Sequence, residues 1–500
     1  MTTQQGPVFG RILRTMSLLG SASLVSVFLG VLKMKVAAVV LGPVGIGLIA
    51  LLQNAVGVAG TIGDMGMRQS GAREISRERV VVENQDVPRV LLTLCCLGLF
   101  FAFLASGLFY AFRGAMAGRL LARPDLVDEL GWATIAVAAT ILAAVLTAIL
   151  NGHHRVREIT AVTIHSALLS CILSVAAIWF WRERGIIVFV VSGPLMLMLV
   201  SFWYVVRIGA LPPLALPSKV HAKLAGRLLQ LGVFVMGSAI VLSLSELAVR
   251  LAIQRQSGAV ELGLFSAAWA IGVYYLNFLM VATSTEFFPR LASRFEETDN
   301  RNAAINMQIQ AMCFVAAPVV IALSAFCPLI MRLLYSTQFL DATSLVRLMV
   351  IGDVLRLAVY PMGFVLLAAS HGRSFFLLKL AEGGIFAGLV IVLLPRLGLE
   401  GVGVAHIATF AVLFVGYCAT LSMSLGFRFS YRSAASIAGL LAIAASLAII
   451  ASRGDPGAMA AGGMFLLAWG AAAAMAWAKQ RKIATDGLHQ ATEQESRNVP

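Results

Sequence analysis

Apolar residues run along this chain in long blocks instead of alternating with polar ones. A spanning helix needs ~20 predominantly apolar residues. Fourteen blocks of that order can be read, at 16–40, 44–67, 90–112, 131–150, 159–181, 186–206, 228–252, 262–285, 309–334, 345–369, 375–394, 401–423, 434–451 and 458–478. Glycine, proline and short charged pieces separate them, and no connection is long enough to be a soluble domain. The pattern predicts an all-α integral membrane protein of 12–14 transmembrane helices. The last pair, within 428–478, extends a core of twelve, and 479–500 reads as a polar tail at the inner face.

Composition agrees. Of 500 residues, 59% are hydrophobic and 12% charged, with a mean hydropathy of +0.89. A soluble domain carries roughly a quarter charged residues, so a water-soluble globule is excluded. The net charge of +14 suggests a nucleic-acid partner less than a topology. Lys and Arg collect in the loops that share a side with the amino terminus, as the positive-inside rule requires. Both termini are therefore expected in the cytoplasm. The first block follows Arg11 and Arg14 but is long and contains Lys33 and Lys35, so it reads as a retained span, not a signal peptide. The most basic inner segment, Arg68 to Arg79, reads either as a short interfacial helix on anionic headgroups or as a plain topology-determining loop. The six cysteines lie inside apolar blocks without metal-ligand spacing. No metal or cofactor is expected.

The chain also repeats itself. Gly10-Arg-Ile-Leu13 recurs as Gly226-Arg-Leu-Leu229, Gly20-Ser-Ala22 as Gly237-Ser-Ala239, and Val44-Gly-Ile-Gly-Leu-Ile49 as Val260-Glu-Leu-Gly-Leu-Phe265, with Lys33 opposite Arg250. The offset is 216 or 217 throughout. Six spans separate the copies, so both enter the membrane from one side. This predicts two parallel-repeat six-helix lobes, 1–215 and 216–427, joined near Pro212, Pro213 and Pro217. Transporters built from repeats place their site between the halves and alternate access by rocking.

Charges within spans are costly and mark candidate function. Lys33 and Arg250, at matching positions, are expected to put positive charge on both walls of a central cavity, with Lys35 and Arg356 as further cations for an anionic headgroup. Snorkelling towards the interface is the alternative for the first two. Glu246 and Arg250 are four apart on one helix face. Asp353 and Arg356 form a second close pair, ahead of a helix break expected at Pro361, and Lys379 and Glu382 a third. Asp64 and Glu286 end the second and eighth spans. Glu246, Asp353, Asp64 and Glu286 are candidate coupling or gating carboxylates for a proton or sodium gradient. The histidines show no cluster in the sequence. There is no GxxxxGK[ST], HExxH or G-x-S-x-G, so neither P-loop hydrolysis nor those catalytic chemistries are indicated.

Lys35-Val-Ala-Ala-Val-Val-Leu-Gly-Pro-Val-Gly-Ile-Gly-Leu-Ile49, with Gln53 and Ser70-Gly-Ala-Arg-Glu-Ile75, resembles the Wzx-type polysaccharide flippases, the O-antigen translocases of the MOP superfamily. Phe288-Pro-Arg-Leu291, Ala317-Pro318, Tyr335-Ser336 with Phe339, Gly352-Asp353 leading to Tyr360-Pro361, and Gly398-Leu-Glu-Gly-Val-Gly403 extend the likeness over residues 10–425. The resemblance implies a V-shaped, MATE-like pair of lobes around a positively charged cavity in a bacterial cytoplasmic (inner) membrane. It also implies transport of a polyprenyl-pyrophosphate-linked oligosaccharide to the periplasmic leaflet, driven by an ion gradient. Lys35 gains weight because it lies in the matching motif. The implied partners are the lipid-linked oligosaccharide, membrane lipids, a polysaccharide polymerase and chain-length machinery, and no nucleic acid. The rivals are a multidrug cation exporter of the same superfamily, which needs an acidic cavity, and a membrane glycan polymerase or ligase, which needs a catalytic outer loop.

Overall fold

The computed structural model describes residues 5–81, 87–120, 124–211, 222–272, 276, 298–369 and 371–475. The described residues are helical, with short turns between helices and no strand among them. Eleven stretches among them are long and apolar enough to cross a membrane. Two, Ala22–Arg77 and Val156–Arg207, are each far longer than one span. The protein is an all-α, multi-pass membrane protein.

Helix α1, Gln5–Asp64, is two helices joined end to end at Gly42, whose φ of +66° only glycine adopts at little cost. Pro43 follows, where a missing N–H costs a new helix nothing. The sequence Leu-Gly-Pro thus turns one unbroken apolar pattern into two spans. Past Asp64, Met65 and Gly66 take positive φ. The chain re-enters a helix, α2, at Met67–Val81. The basic segment 68–79 is therefore helical, and Ser70 is bonded back to the Gly66 carbonyl at 3.0 Å.

Then come α3 (Val87–Ala111), α4 (Val127–Gly152), α5 (Val156–Trp181) and α6 (Gly185–Arg207). These pack on α1, α2 and one another. Small residues permit the approach: Cβ atoms on Gly60 and Gly63 would collide with Thr140 and Ile141, whereas Gly57 has nothing within 4 Å because it faces a cavity.

The second group comprises α7 (Ala222–Gln256), α8 (Ala259–Gly272), α9 (Thr298–Ala325), α10 (Cys327–Leu334), α11 (Thr343–Ala368), α12 (Gly372–Leu397) and α13 (Glu400–Leu425). Helix α12 lies between α7 and α13, and α11 lies on α13 and α9. The break expected at Pro361 does not occur, because α11 runs through it; buried membrane helices absorb proline when neighbours surround the freed carbonyl. Helices α14 (Tyr431–Arg453) and α15 (Asp455–Met475) add a pair, with α14 packed on α9 and α11.

The two groups meet where α1, α2 and α3 touch α7, and where the α1 kink meets α8 and α10. At the kink, a Cβ on Gly47 would lie 2.9 Å from the Gly263 amide nitrogen, and one on Gly263 would run into the Pro43 carbonyl. Gly47 and Gly263 are equivalent positions of the internal repeat. The two copies thus cross backbone to backbone at their shared glycine.

Candidate functional site

Below this crossing lies a cavity of about 360 Å³ between the groups. Its wall from α1 carries Met34, Ile46, Gln53, Asn54, Gly57 and Thr61; α7 supplies Ser243, Glu246 and Arg250, and α8 supplies Ser266 and Trp269. Arg250 is buried and its donors are engaged: Nε and Nη2 donate to Glu246 Oε1 at 3.2 and 2.5 Å, and Nη1 to Ser266 Oγ at 2.8 Å. The Ser266 hydroxyl in turn donates a hydrogen bond to the Leu262 carbonyl at 2.6 Å. The guanidinium lies 5.5 Å from the Phe265 ring centre. The expected pair of Glu246 and Arg250 exists, and it faces the cavity. On the opposite wall the buried Asn54 Oδ1 accepts no hydrogen bond.

A second compartment of about 210 Å³ opens behind the first, within the second helix group, and shares Glu246 and Trp269 with it. Arg356, Glu382, His406, Thr409, Phe386 and Phe410 line it. Asp353 is buried beside it. His406 Nε2 is 2.9 Å from Asp353 Oδ1, and Arg356 Nη1 approaches the same oxygen only to 3.8 Å. The pair read from spacing is present, as a long ion pair. What spacing did not show is the closer contact with a histidine 53 positions away, which forms because α13 brings His406 against Gly352, where any Cβ would strike the imidazole. Lys379 Nζ donates to Glu382 Oε2 at 2.6 Å, the third expected pair. Trp269 stacks on Phe386 with centroids 5.7 Å apart, and His406 packs edge-on to Trp269, Phe386 and Phe410.

Other expected site residues lie elsewhere. Lys33 does not face Arg250 across the cavity. Its ammonium is 3.4 Å from Ser170 Oγ and 5.0 Å from the Phe189 ring centre, inside the first group. The cavity position on that turn belongs to Met34, one residue and ~100° away. Lys35 points a further ~100° round, and its Nζ donates to the carbonyls of Arg332, at 2.7 Å, and of Tyr335. It thus neutralises the C-terminal end of α10, where helix carbonyls lack partners. That is a tie between the groups, not part of the cavity lining. Asp64 ends α1 outside both cavities, with its buried Oδ1 unpartnered. Glu286 lies outside the described residues. Sequence reasoning missed His406, Trp269, Phe386, Gln53 and Asn54. Of these only Gln53 carried a signal, its place in the quoted motif.

Paired helix groups enclosing a polar cavity define a class of membrane transporter, and the solved structures agree. The chain superposes on the lipid II flippase MurJ in an inward closed conformation with a TM-score of 0.68 at 13% identity, covering 91% of this chain and 98% of that one. It also superposes on a MOP superfamily transporter from Pyrococcus furiosus, described as having a binding pocket of reversed polarity, with a TM-score of 0.60 at 15% identity, covering 82% and 95%. The fold is that of the MOP superfamily. By sequence, the chain belongs to the polysaccharide biosynthesis protein family, whose profile matches residues 12–295. It is 21% identical to the lipid III flippase of Escherichia coli (strain K12) over 404 residues, covering 80% of this chain and 95% of that protein. These relatives are flippases and transporters, not catalysts.

Proposed function

We propose that the protein flips a polyprenyl-pyrophosphate-linked oligosaccharide, the repeat unit of an O-antigen or another surface polysaccharide, from the cytoplasmic to the periplasmic leaflet of the inner membrane. Three things support the reading: the family, the flippase relative, and above all the polar cavity between the helix groups with the buried Arg250 on its wall. With the amino terminus in the cytoplasm, the Gly47–Gly263 crossing lies at the periplasmic end and closes it. The passenger then enters from below. Its pyrophosphate oxygens compete with Glu246 for the Arg250 fork, since a planar guanidinium suits two oxygens at once. The sugars occupy the wet cavity while the lipid tail stays in the bilayer. Rocking of the lobes, 1–215 against 216–427, parts the crossing and exposes the site outward. Glu246 and Asp353 are the carboxylates placed to couple this motion to a proton or sodium gradient. Polymerase and chain-length machinery take the product.

The reading is tested in proteoliposomes holding a fluorescent polyprenyl-pyrophosphate-linked oligosaccharide in one leaflet. Flipping should require the protein and fall about tenfold in Arg250→Ala, the scale of one lost charge-assisted interaction. Movement no faster than in empty liposomes ends the proposal. So does wild-type flipping by Arg250→Ala.

A further inference from the structure

The compartment behind the main cavity holds a cation, Arg356, that is only loosely engaged among the described residues. Arg250 has three donor contacts within 3.2 Å. Arg356 makes no hydrogen bond among the described residues; its one ion pair, to Asp353, is 3.8 Å long and shares an oxygen with the closer His406. The Arg356 side chain is 24% exposed and lines the compartment. A guanidinium carries five N–H donors, and donors withdrawn from water without partners are costly. The carboxylates nearby do not fill the need. Glu246 is matched by Arg250 and Glu382 by Lys379, each at salt-bridge distance. Asp353 faces Arg356 only at 3.8 Å, so an anionic group entering here would meet in Arg356 a guanidinium with donors open to it.

The other walls say what carries the anion. The Phe410 ring, 5.5 Å below the guanidinium, with Trp269 and Phe386, offers flat apolar surface. Thr409, Ser245 and Glu382 offer polar edges; the Thr409 and Ser245 hydroxyls already donate to carbonyls at 2.7 Å and so present acceptor lone pairs. A sugar ring has this character, with C–H faces that lie on aromatic rings and a rim of hydroxyl donors. Sites for drug-sized ligands span roughly 300–1,000 Å³, so about 210 Å³ limits the occupant to one ring. Glu246 and Trp269 line both spaces, so the compartment borders directly on the main cavity.

We infer that this compartment is a subsite for a single acidic sugar residue of the passenger, with Arg356 forking onto its carboxylate and Phe410, Trp269 and Phe386 packing the ring. It makes the flippase selective for glycans bearing a uronate-type sugar. The inference rests on the proposed flippase reading only for where the sugar comes from.

Two measurements test it. In proteoliposomes, polyprenyl-pyrophosphate-linked disaccharides ending in glucuronate or in glucose are compared. Wild type should prefer the acidic one, and Arg356→Gln should reduce the acidic-to-neutral rate ratio about tenfold. Arg356→Lys, which keeps charge without the fork, should recover part of it. A loss of both rates in equal proportion would mean that Arg356 grips the pyrophosphate, and a ratio near one in wild type would mean that no acidic subsite exists; either overturns the inference. Separately, saturation-transfer NMR on purified protein compares methyl glucuronoside with methyl glucoside. Arg356-dependent binding of the glucuronoside alone upholds the subsite even if neither lipid is flipped, in which case the flippase reading fails by itself. Equal binding of both, or binding indifferent to Arg356→Gln, overturns the subsite.

Discussion

At the residue scale, four of the cations singled out from the sequence lie in four different environments. Arg250 is in the main cavity and closely bonded, Arg356 in the side compartment with one long ion pair, Lys33 between Ser170 and the Phe189 ring, and Lys35 on carbonyls of another helix. The sequence revealed that these charges sit within spans. It did not reveal which way each points, because on a helix adjacent residues diverge by ~100°. The offset of the repeat wavers between 216 and 217, and the choice decides whether Lys33 or Met34 matches Arg250. Met34 and Arg250 both line the cavity, so 216 is the register that counts there. The two residues should therefore respond differently to substitution. Lys33 has no carboxylate within salt-bridge distance among the described residues, and an apolar residue of similar volume often does better than a buried charge. Lys33→Met is expected to raise stability by about 1 kcal/mol and keep flipping within about twofold, while Arg250→Ala lowers it about tenfold. Thermal unfolding in detergent with parallel flipping assays checks this; equal loss of transport in both variants would return Lys33 to the passenger's path.

At the element scale, helix positions were legible and their seams only partly so. Leu-Gly-Pro at 41–43 announced the break in α1. The threefold spacing of Gly57, Gly60 and Gly63 reads as close helix packing; Gly60 and Gly63 make it, on Thr140 and Ile141, while Gly57 faces open space. His406 was invisible, since nothing in a single sequence links it to Asp353 on another helix; only the packing of α11 on α13 does so. The repeated Val-x-x-Gly at 44–47 and 260–263 was legible as a likeness but not as a contact, though the two glycines touch. That contact holds the groups together through backbone, which cannot yield as a flexible side chain does. Gly263→Val should therefore force α8 off the Pro43 carbonyl and shift the population towards the form parted at this end. Gln338, whose side chain lies against Gly42 beside the crossing, is the reporter. A cysteine placed there is expected to react with a membrane-impermeant maleimide several-fold faster in the Gly263→Val background. Gly57→Ala, in open space, should leave the rate unchanged. Unaltered labelling in Gly263→Val would show that the glycine pair does not govern closure.

At the scale of the whole molecule, the two helix groups are not equivalent, because only the second carries an added pair. The seam is polar where it turns. Asn306 on α9 donates to the Arg428 carbonyl at 3.0 Å and accepts from the Ser430 amide at 2.8 Å, and Gln310 donates to Ser433 at 3.0 Å. Farther along, Arg347 donates to the Ser324 carbonyl at 3.0 Å and to Asp455 at 2.7 Å, and the Trp469 indole donates to the Phe314 carbonyl at 3.0 Å. Among the described residues, none lining the two cavities comes from beyond residue 410. The pair thus supports the second group from behind, while the cavities are complete without it. Deleting residues 430–500 would take away the partners of Asn306 Oδ1, Gln310 Nε2 and Arg347 Nη2 and turn these groups towards lipid, where unsatisfied groups cost several kcal/mol each. The truncated protein is expected to melt at a lower temperature and to accumulate less in the membrane, yet to flip at near wild-type rate per folded molecule. Asp455→Ala isolates one contact of the seam. Arg347 keeps its bond to Ser324, and because Asp455 is 43% exposed the loss should cost only about 1 kcal/mol with flipping intact. Melting curves and per-molecule flipping rates separate support from transport. A truncated chain of normal stability that no longer flips would place the added pair in the passenger's route and not behind it.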